Sequence, residues 1–158
     1  MKYDKEFKVG EQKLYLSPVI DMFNGEILAW HMEKHPTYEL VGEMLNKLKR
    51  VLTMDSQRLL HSDQGWHYRH PFYRGTLQKM GITQSMSRKG NCLDNACIES
   101  FFGTLKEECY RRQKFDSIDE LKVAIDRYIH YYNHERIKGT LKGLSPVQYR
   151  TQPLRSPA

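Results

Sequence analysis

Two strand-forming stretches, residues 13–23 (KLYLSPVIDMF) and 26–32 (EILAWHM), flank Asn24-Gly25, the dipeptide best suited to the positive φ angles of a tight β-hairpin. A chain that pairs two strands this early must cover the resulting sheet with its remaining elements. After His35-Pro36, Thr37 stands where it can cap a helix whose apolar residues Leu40, Val41, Met44, Leu45, Leu48, Val51 and Leu52 recur at helical spacing. Residues 58–62 (RLLHS) read as a short buried strand ending at Asp63, and Gly65 turns the chain towards a helix over 71–79. Residues 82–86 form an expected outer strand. A helix comes next from about Asp94 to Arg112, and Ser117-Ile118-Asp119-Glu120 is a capping box opening the last long helix, through Tyr132. Leu144-Ser145-Pro146 begins a final short turn.

Strands first, then strand and helix in alternation, then helices: this order implies an α/β (α+β) fold, a mixed sheet flanked by helices. With 158 residues, no internal repeat and no long linker, the expectation is one domain over residues 1–152 and a frayed tail over 153–158. Lys and Arg number 25 against 19 Asp and Glu, giving a net charge of +6 and a pI near 9.2, which favours a polyanionic partner. Cys92, Cys97 and Cys109 are odd in number and clustered, and read as reduced thiols. No apolar run of roughly 18 residues and no charged-then-apolar leader occurs, so neither a membrane span nor a secretory signal is expected. The cytoplasm, in association with a bacterial nucleoid, is the expected location.

Two acidic residues stand in distinctive surroundings: Asp63 in HSDQG (61–65) and Glu99 in DNACIESFFG (94–103), with 35 residues (64 to 98) between them. At about 100° per residue, Ile98, Phe101, Phe102, Leu105 and Cys109 share one stripe of the helix. Glu99 lies roughly a quarter-turn from the centre of that stripe, and Lys106 projects only about 20° from Glu99. Arg88 and Lys89 occupy a polar, basic loop and, with Lys106, are the expected phosphate contacts; Arg111 and Arg112 are weaker candidates. Singly, each feature has an ordinary reading: a strand-end Asp forms turns, and an interfacial helix Glu is solvated. Asp21 reads as a turn former before Asn24-Gly25. His61, His67, His70, His130, His134, Cys92 and Cys97 lack CxxC or HExxH spacing, so zinc is disfavoured. Trp66, Tyr68 and Phe72 read as core or loop anchors rather than base-stacking platforms.

Three segments are long and specific: HSDQGWHY (61–68), QSMSRKGNCLDNACIESFFGTLKEE (84–108), and YIHYYNHER with KGLSPVQYR (128–136, 142–150). Through them the chain, from about Glu6 to Gln152, resembles the catalytic core of insertion-sequence transposases of the family numbered three, relatives of retroviral integrases. The resemblance implies a ribonuclease-H-like fold and a DDE triad whose last two members are Asp63 and Glu99, with Lys106 as the basic residue seven positions on. It implies DNA cleavage and strand transfer, DNA partners (transposon ends and target), and a homo-oligomer or a full-length transposase as protein partner. Hard carboxylate oxygens suit Mg²⁺ and tolerate Mn²⁺ as cofactors, and two such ions roughly 4 Å apart can activate the attacking oxygen and stabilise the leaving one.

The chain departs from that pattern at its start. The family's first acid stands in a Thr-Asp-(apolar)-Thr-Glu-Phe segment; aligning Glu6-Phe7 with its end puts Tyr3 at the acid position and Asp4 one residue away. A one-residue slip sends a strand side chain to the opposite face, so Asp4 serves as third catalytic acid only on a bulged strand. The first strand is accordingly expected to be truncated, with the family's upstream DNA-binding region missing. Three functional readings are consistent with these residues: a transposase core with weak or no activity, a non-catalytic DNA- or transposase-binding fragment acting as inhibitor, and a ribonuclease H-type hydrolase, disfavoured by the 35-residue spacing.

Overall fold

A computed structural model describes residues 5–53, 57–87 and 95–153. Strands β1 (Lys5–Val9), β2 (Gln12–Ile20) and β3 (Ile27–Glu33) form an antiparallel sheet in that order. β4 (Arg58–Ser62) and β5 (Ile82–Met86) pair in parallel, which requires a crossover between them. Helices α2 (Trp66–Arg69) and α3 (Pro71–Lys79) supply it. The remaining helices are α1 (Tyr38–Val51), α4 (Ala96–Leu105), α5 (Ile118–His134) and α6 (Pro146–Thr151). Pro71 opens α3, where a missing N–H costs nothing. The mixed sheet is thus present as two parts, one antiparallel and one parallel; among the described residues no ladder joins β2 to β4.

Both faces of the antiparallel sheet are covered. Phe7, Leu14, Leu16 and Met32 pack with α4 and α5 through Phe101, Phe102, Leu105, Ile125 and Ile129. Val19 and Ala29 pack on the other side with α1, α3 and β5 through Val41, Leu45, Leu77 and Ile82. A bulge makes this division possible. Val19 faces Ala29 but Ile20 faces Ile27, so Leu28 is an extra residue in β3. Leu28 and Ala29, although consecutive, both pack on the α1 side against the alternation of the pleat, and Ile27 packs on the α5 side. The buried side chain of Asn133 on α5 clamps the interruption: Ile27 N donates to its Oδ1 at 2.8 Å, and its Nδ2 donates to Ile27 O at 2.9 Å.

Several local expectations change. The turn between β2 and β3 runs over residues 21–26 and is closed by Asp21 N to Glu26 O and Gly25 N to Asp21 O, so Asn24-Gly25 sits inside a longer loop. Asp21 is a turn former, its Oδ1 accepting from Phe23 N at 2.8 Å. A second hairpin precedes it, from β1 to β2 through Gly10 at φ 60°. Thr37 occupies the N-cap of α1 without a side-chain hydrogen bond. At α5 Ser117 Oγ accepts from Glu120 N, but Glu120 returns its bond to Asp116 N, one residue before the cap. The full capping box is at α6, between Ser145 and Gln148. β4 is an edge rather than a buried strand, with Leu59 67% exposed. The helix expected through Arg112 leaves α geometry at Leu105 and continues as a π turn over Lys106–Tyr110.

Asn133→Ala removes the partners of both backbone polar groups of the buried Ile27, each group costing about 1–3 kcal/mol when left unsatisfied. We expect a loss of about 2–4 kcal/mol in urea denaturation, and faster amide exchange at Ile27 than at Trp30.

Candidate active site

Asp63 is the first residue beyond β4 and is 2% exposed. A buried carboxylate requires fixed donors, and its Oδ1 accepts from Gly65 N at 2.7 Å. This Asx turn redirects the chain from β4 into α2. A Cβ at position 65 would lie 2.9 Å from Asp63 Oδ1 and 3.3 Å from the Tyr68 ring, so the turn is shaped around glycine. The preceding residue is tied to the neighbouring strand: Ser87 N donates to Ser62 O at 2.9 Å, and Gln64 Nε2 donates to Ser87 O at 3.2 Å. The parallel ladder and the turn together fix where Asp63 begins.

Glu99 lies in the first turn of α4, where the unpaired N–H groups of a helix favour negative charge. Its neighbours Ile98, Phe101 and Phe102 are buried, while Glu99 is half-buried at the edge of the stripe. Ser62 before Asp63, and Asn95, Cys97 and Ile98 before Glu99, line one cavity. The end of β4 and the start of α4 therefore face a common space. Two carboxylates leaving these elements are hard oxygen donors of the kind a divalent cation such as Mg²⁺ takes. Among the described residues no group of three or more His, Cys, Asp or Glu gathers at one point. Asp4, Arg88 and Lys89 lie outside the described residues, as do Tyr3 and Cys92.

Lys106 stands at the α-to-π transition with its ammonium 5.8 Å from the centre of the Phe7 ring. Burial, then Lys5 and Arg111, push its pKa down. Arg111 pairs with Glu107 on its own turn. Trp66 and Phe72 are 51% and 71% exposed, unlike the expected anchors, whereas Tyr68 is buried. Their rings rest on histidines of the same segment: Trp66 on the buried His67 at 3.9 Å and Phe72 on the half-buried His70 at 5.3 Å between centroids. His130 and His134 lie side by side on α5, 4.4 Å between rings. Cys97 and Cys109 are free thiols.

The YIHYYNHER and TLKEE segments meet in a polar lock that the motifs alone do not single out. Glu108 on the π turn accepts from Tyr128 Oη at 2.5 Å and from Arg136 Nε at 2.7 Å. Burial raises the Glu108 pKa, but the Arg136 and Tyr128 hydrogen bonds outweigh it and hold the carboxyl below its ordinary value. Burial, reinforced by the bond to Glu108, pushes the Tyr128 phenol far up. A Glu three residues after the apolar Leu105, with a Tyr and an Arg together in another motif, is the signal the sequence offers.

A strand end that leads into the buried Asp63 and a helix start that leads into Glu99, bordering one cavity beside a sheet with both faces covered, define an integrase-type core. The integrase core domain family matches residues 4–92 and again residues 99–154. An uncharacterized transposase-like protein of Haemophilus influenzae is 53% identical over 149 residues, covering 94% of this chain and 68% of that protein. The putative transposase InsK for insertion sequence element IS150 of Escherichia coli is 52% identical over 147 residues, covering 93% of this chain and 52% of that one. The chain belongs to the integrase core domain family, among transposases of the insertion-sequence family numbered three. It spans about two thirds of the Haemophilus relative and about half of the Escherichia one. The HTLV-2 integrase catalytic core, solved in complex with magnesium, shares 16% identity at a TM-score of 0.68, covering 92% of this chain and 90% of that one. The fold is therefore ribonuclease-H-like. No helix among the described residues is long and apolar enough to cross a membrane.

Gly65→Ala should displace Asp63 or Tyr68 and cost about 1–3 kcal/mol, whereas Gly75→Ala, where a Cβ meets nothing within 4 Å, should be neutral or stabilising; urea denaturation compares them. For Glu108, a depressed folded pKa means that the unfolded chain takes the proton more readily, so its contribution is present above the ordinary carboxylate pKa and lost as pH falls through the folded value. Glu108→Gln should lower stability at neutral pH by about 1–3 kcal/mol, and the gap should close on acidification below about pH 4, read from denaturation midpoints across pH.

Proposed function

We propose that the chain is a metal-dependent polynucleotidyl transferase core of transposase type, acting on transposon ends and target DNA in the bacterial cell. The observation that carries the reading is the anchored Asp63 at the end of β4, whose preceding residue Ser62 lines the same cavity as the start of the helix that bears Glu99. In this reading Asp63 and Glu99 hold Mg²⁺, or Mn²⁺ in its place, and the bound ions supply Lewis-acid activation of the attacking and leaving oxygens. The Asx turn limits how far the Asp63 carboxylate can swing. Lys106 positions a DNA phosphate beside Lys5; Arg88 and Lys89 supply further phosphate contacts, a role matching the net charge of +6. Asp4 is the candidate third acid. A homo-oligomer, or assembly with a longer transposase, completes the reading; residues 1–152 act as its single domain, and the net positive charge suits residence on nucleoid DNA.

A second reading, a non-catalytic DNA- or transposase-binding inhibitor, is favoured by one observation: Tyr3 occupies the position of the family's first acid.

The test is nicking and strand transfer on a labelled DNA end in Mn²⁺, comparing the unmodified chain with Asp63→Asn and Asp4→Asn. Because loss of groups that merely support a metal ligand costs about 10–100-fold, loss of Asp63 itself should cost at least about 100-fold. Equal loss in Asp4→Asn supports Asp4 as third acid. A folded, DNA-binding chain without turnover sinks the enzymatic reading and leaves the inhibitor.

A further inference from the structure

Most polar side chains of the YIHYYNHER segment have a structural partner. Tyr128 and Arg136 bind Glu108, Tyr132 Oη accepts from Lys138 Nζ at 2.5 Å, and Asn133 holds Ile27. His130 and His134 do something else. Both are exposed on α5, and their rings lie against each other, 4.4 Å between centres at a tilt of 34°. Among the described residues neither ring makes a hydrogen bond or an ion pair. Two imidazoles four residues apart on one helix face are the element from which helical zinc sites are built. Motif spacing alone disfavoured zinc, because the glutamate of HExxH is missing; the structure adds the placement of the two rings.

Zinc–nitrogen bonds of about 2.0–2.1 Å put each ring centre roughly 3 Å from the ion, so two rings about 90–110° apart around it have centres about 4.5–5 Å apart. The observed 4.4 Å is close enough that a small rotation of either exposed ring closes the chelate. The backbone beneath is firmly held: Ile129 and Asn133 are buried, and Ser145 Oγ donates to His134 O at 2.9 Å. Ligands on a fixed scaffold lose little freedom on binding. His134 is the last residue of α5, and the partial negative charge at a helix C-terminus favours a cation. Asp126, one turn before His130, accepts from Trp30 Nε1 at 2.8 Å, and among the described residues no third His, Cys, Asp or Glu joins the pair.

We propose that His130 and His134 form a surface site for one borderline divalent cation, Zn²⁺, chelated by both imidazoles with water in the remaining positions. Imidazole nitrogen suits Zn²⁺, whereas Mg²⁺ prefers oxygen, so the site differs in kind from one built on Asp63 and Glu99. The proposal is independent of nuclease or transfer activity.

The test is calorimetric titration of the full chain with Zn²⁺ in excess Mg²⁺, alongside His130→Gln, His134→Gln and Asp63→Asn. Glutamine is a good helix former, so both histidine variants should keep the fold at these exposed positions. Because loss of a group that merely supports a metal ligand costs about 10–100-fold in affinity, loss of either histidine should weaken one equivalent of Zn²⁺ at least about 10-fold. Asp63→Asn should leave that equivalent in place. In proton NMR, one equivalent of Zn²⁺ should shift the ring C–H signals of His130 and His134 together. No uptake of Zn²⁺, uptake unchanged in either histidine variant, loss of the equivalent in Asp63→Asn, or shifts confined to other histidines overturns the proposal.

Discussion

The pairing of the Asn133 amide with the backbone N–H and C=O of Ile27 holds the helical layer to the sheet on the outer edge of β3, beside the bulge. Ile27 lies opposite Ile20 with Asp21 N bonded to Glu26 O beside it, so the N–H and C=O of Ile27 itself point to the outer edge of β3, where an unsatisfied buried peptide group is costly. By answering both its donor and its acceptor, α5 closes that edge beside the bulge. The bulge then aims Leu28 and Ala29 at α1 while Ile27 faces α5. Everything downstream inherits this arrangement, because α1 is the element on which β5 and α3 pack, and β5 is what fixes β4.

The elements legible in the sequence were those governed by local chemistry. Pro71 opens α3 because a proline start needs no distant partner. Asp63 at a strand end was readable for the same reason, since Ser, Asp and Gly within four residues describe a turn whatever surrounds it. What was not legible depends on tertiary geometry. Ser117-to-Glu120 has the composition of a capping box, yet the return bond goes to Asp116 because Glu120 reaches a different orphan donor. The α-to-π transition at Lys106 has no local signal; it coincides with the turn that brings Glu108 to Tyr128 and Arg136. Asn133 had a faint signal, a polar residue beside the apolar stripe of Leu121, Ile125, Tyr128, Ile129 and Tyr132, but its purpose requires a bulge over a hundred residues earlier.

The candidate site shows the same split. Asp63 and Glu99 came from motif and spacing, and the structure brings the strand end and the helix start that carry them onto one cavity. Trp66 and Phe72, read as anchors, are exposed, because α2 is four residues long and turns its first ring to the histidines of its own segment rather than to the core. Lys106 keeps its expected neighbourhood on the edge between core and solvent, over Phe7.

A carboxylate that is to hold a divalent cation must be placed to within a fraction of an ångström, and the backbone that carries it must be equally well held. β4 is held along its β5 edge by a five-residue parallel ladder and at its end by the bond from Ser87 N to Ser62 O. Its other edge borders the cavity. Strand ladders are cooperative in position: a strand fixed on one edge can still tilt about that edge, whereas one fixed on both cannot. The Asx turn to Gly65 restrains the Asp63 side chain but not a tilt of the whole strand, because Gly65 moves with it. Among the described residues the Asp63 carboxylate is thus held through its side chain at the Gly65 turn and through its backbone along the β5 edge.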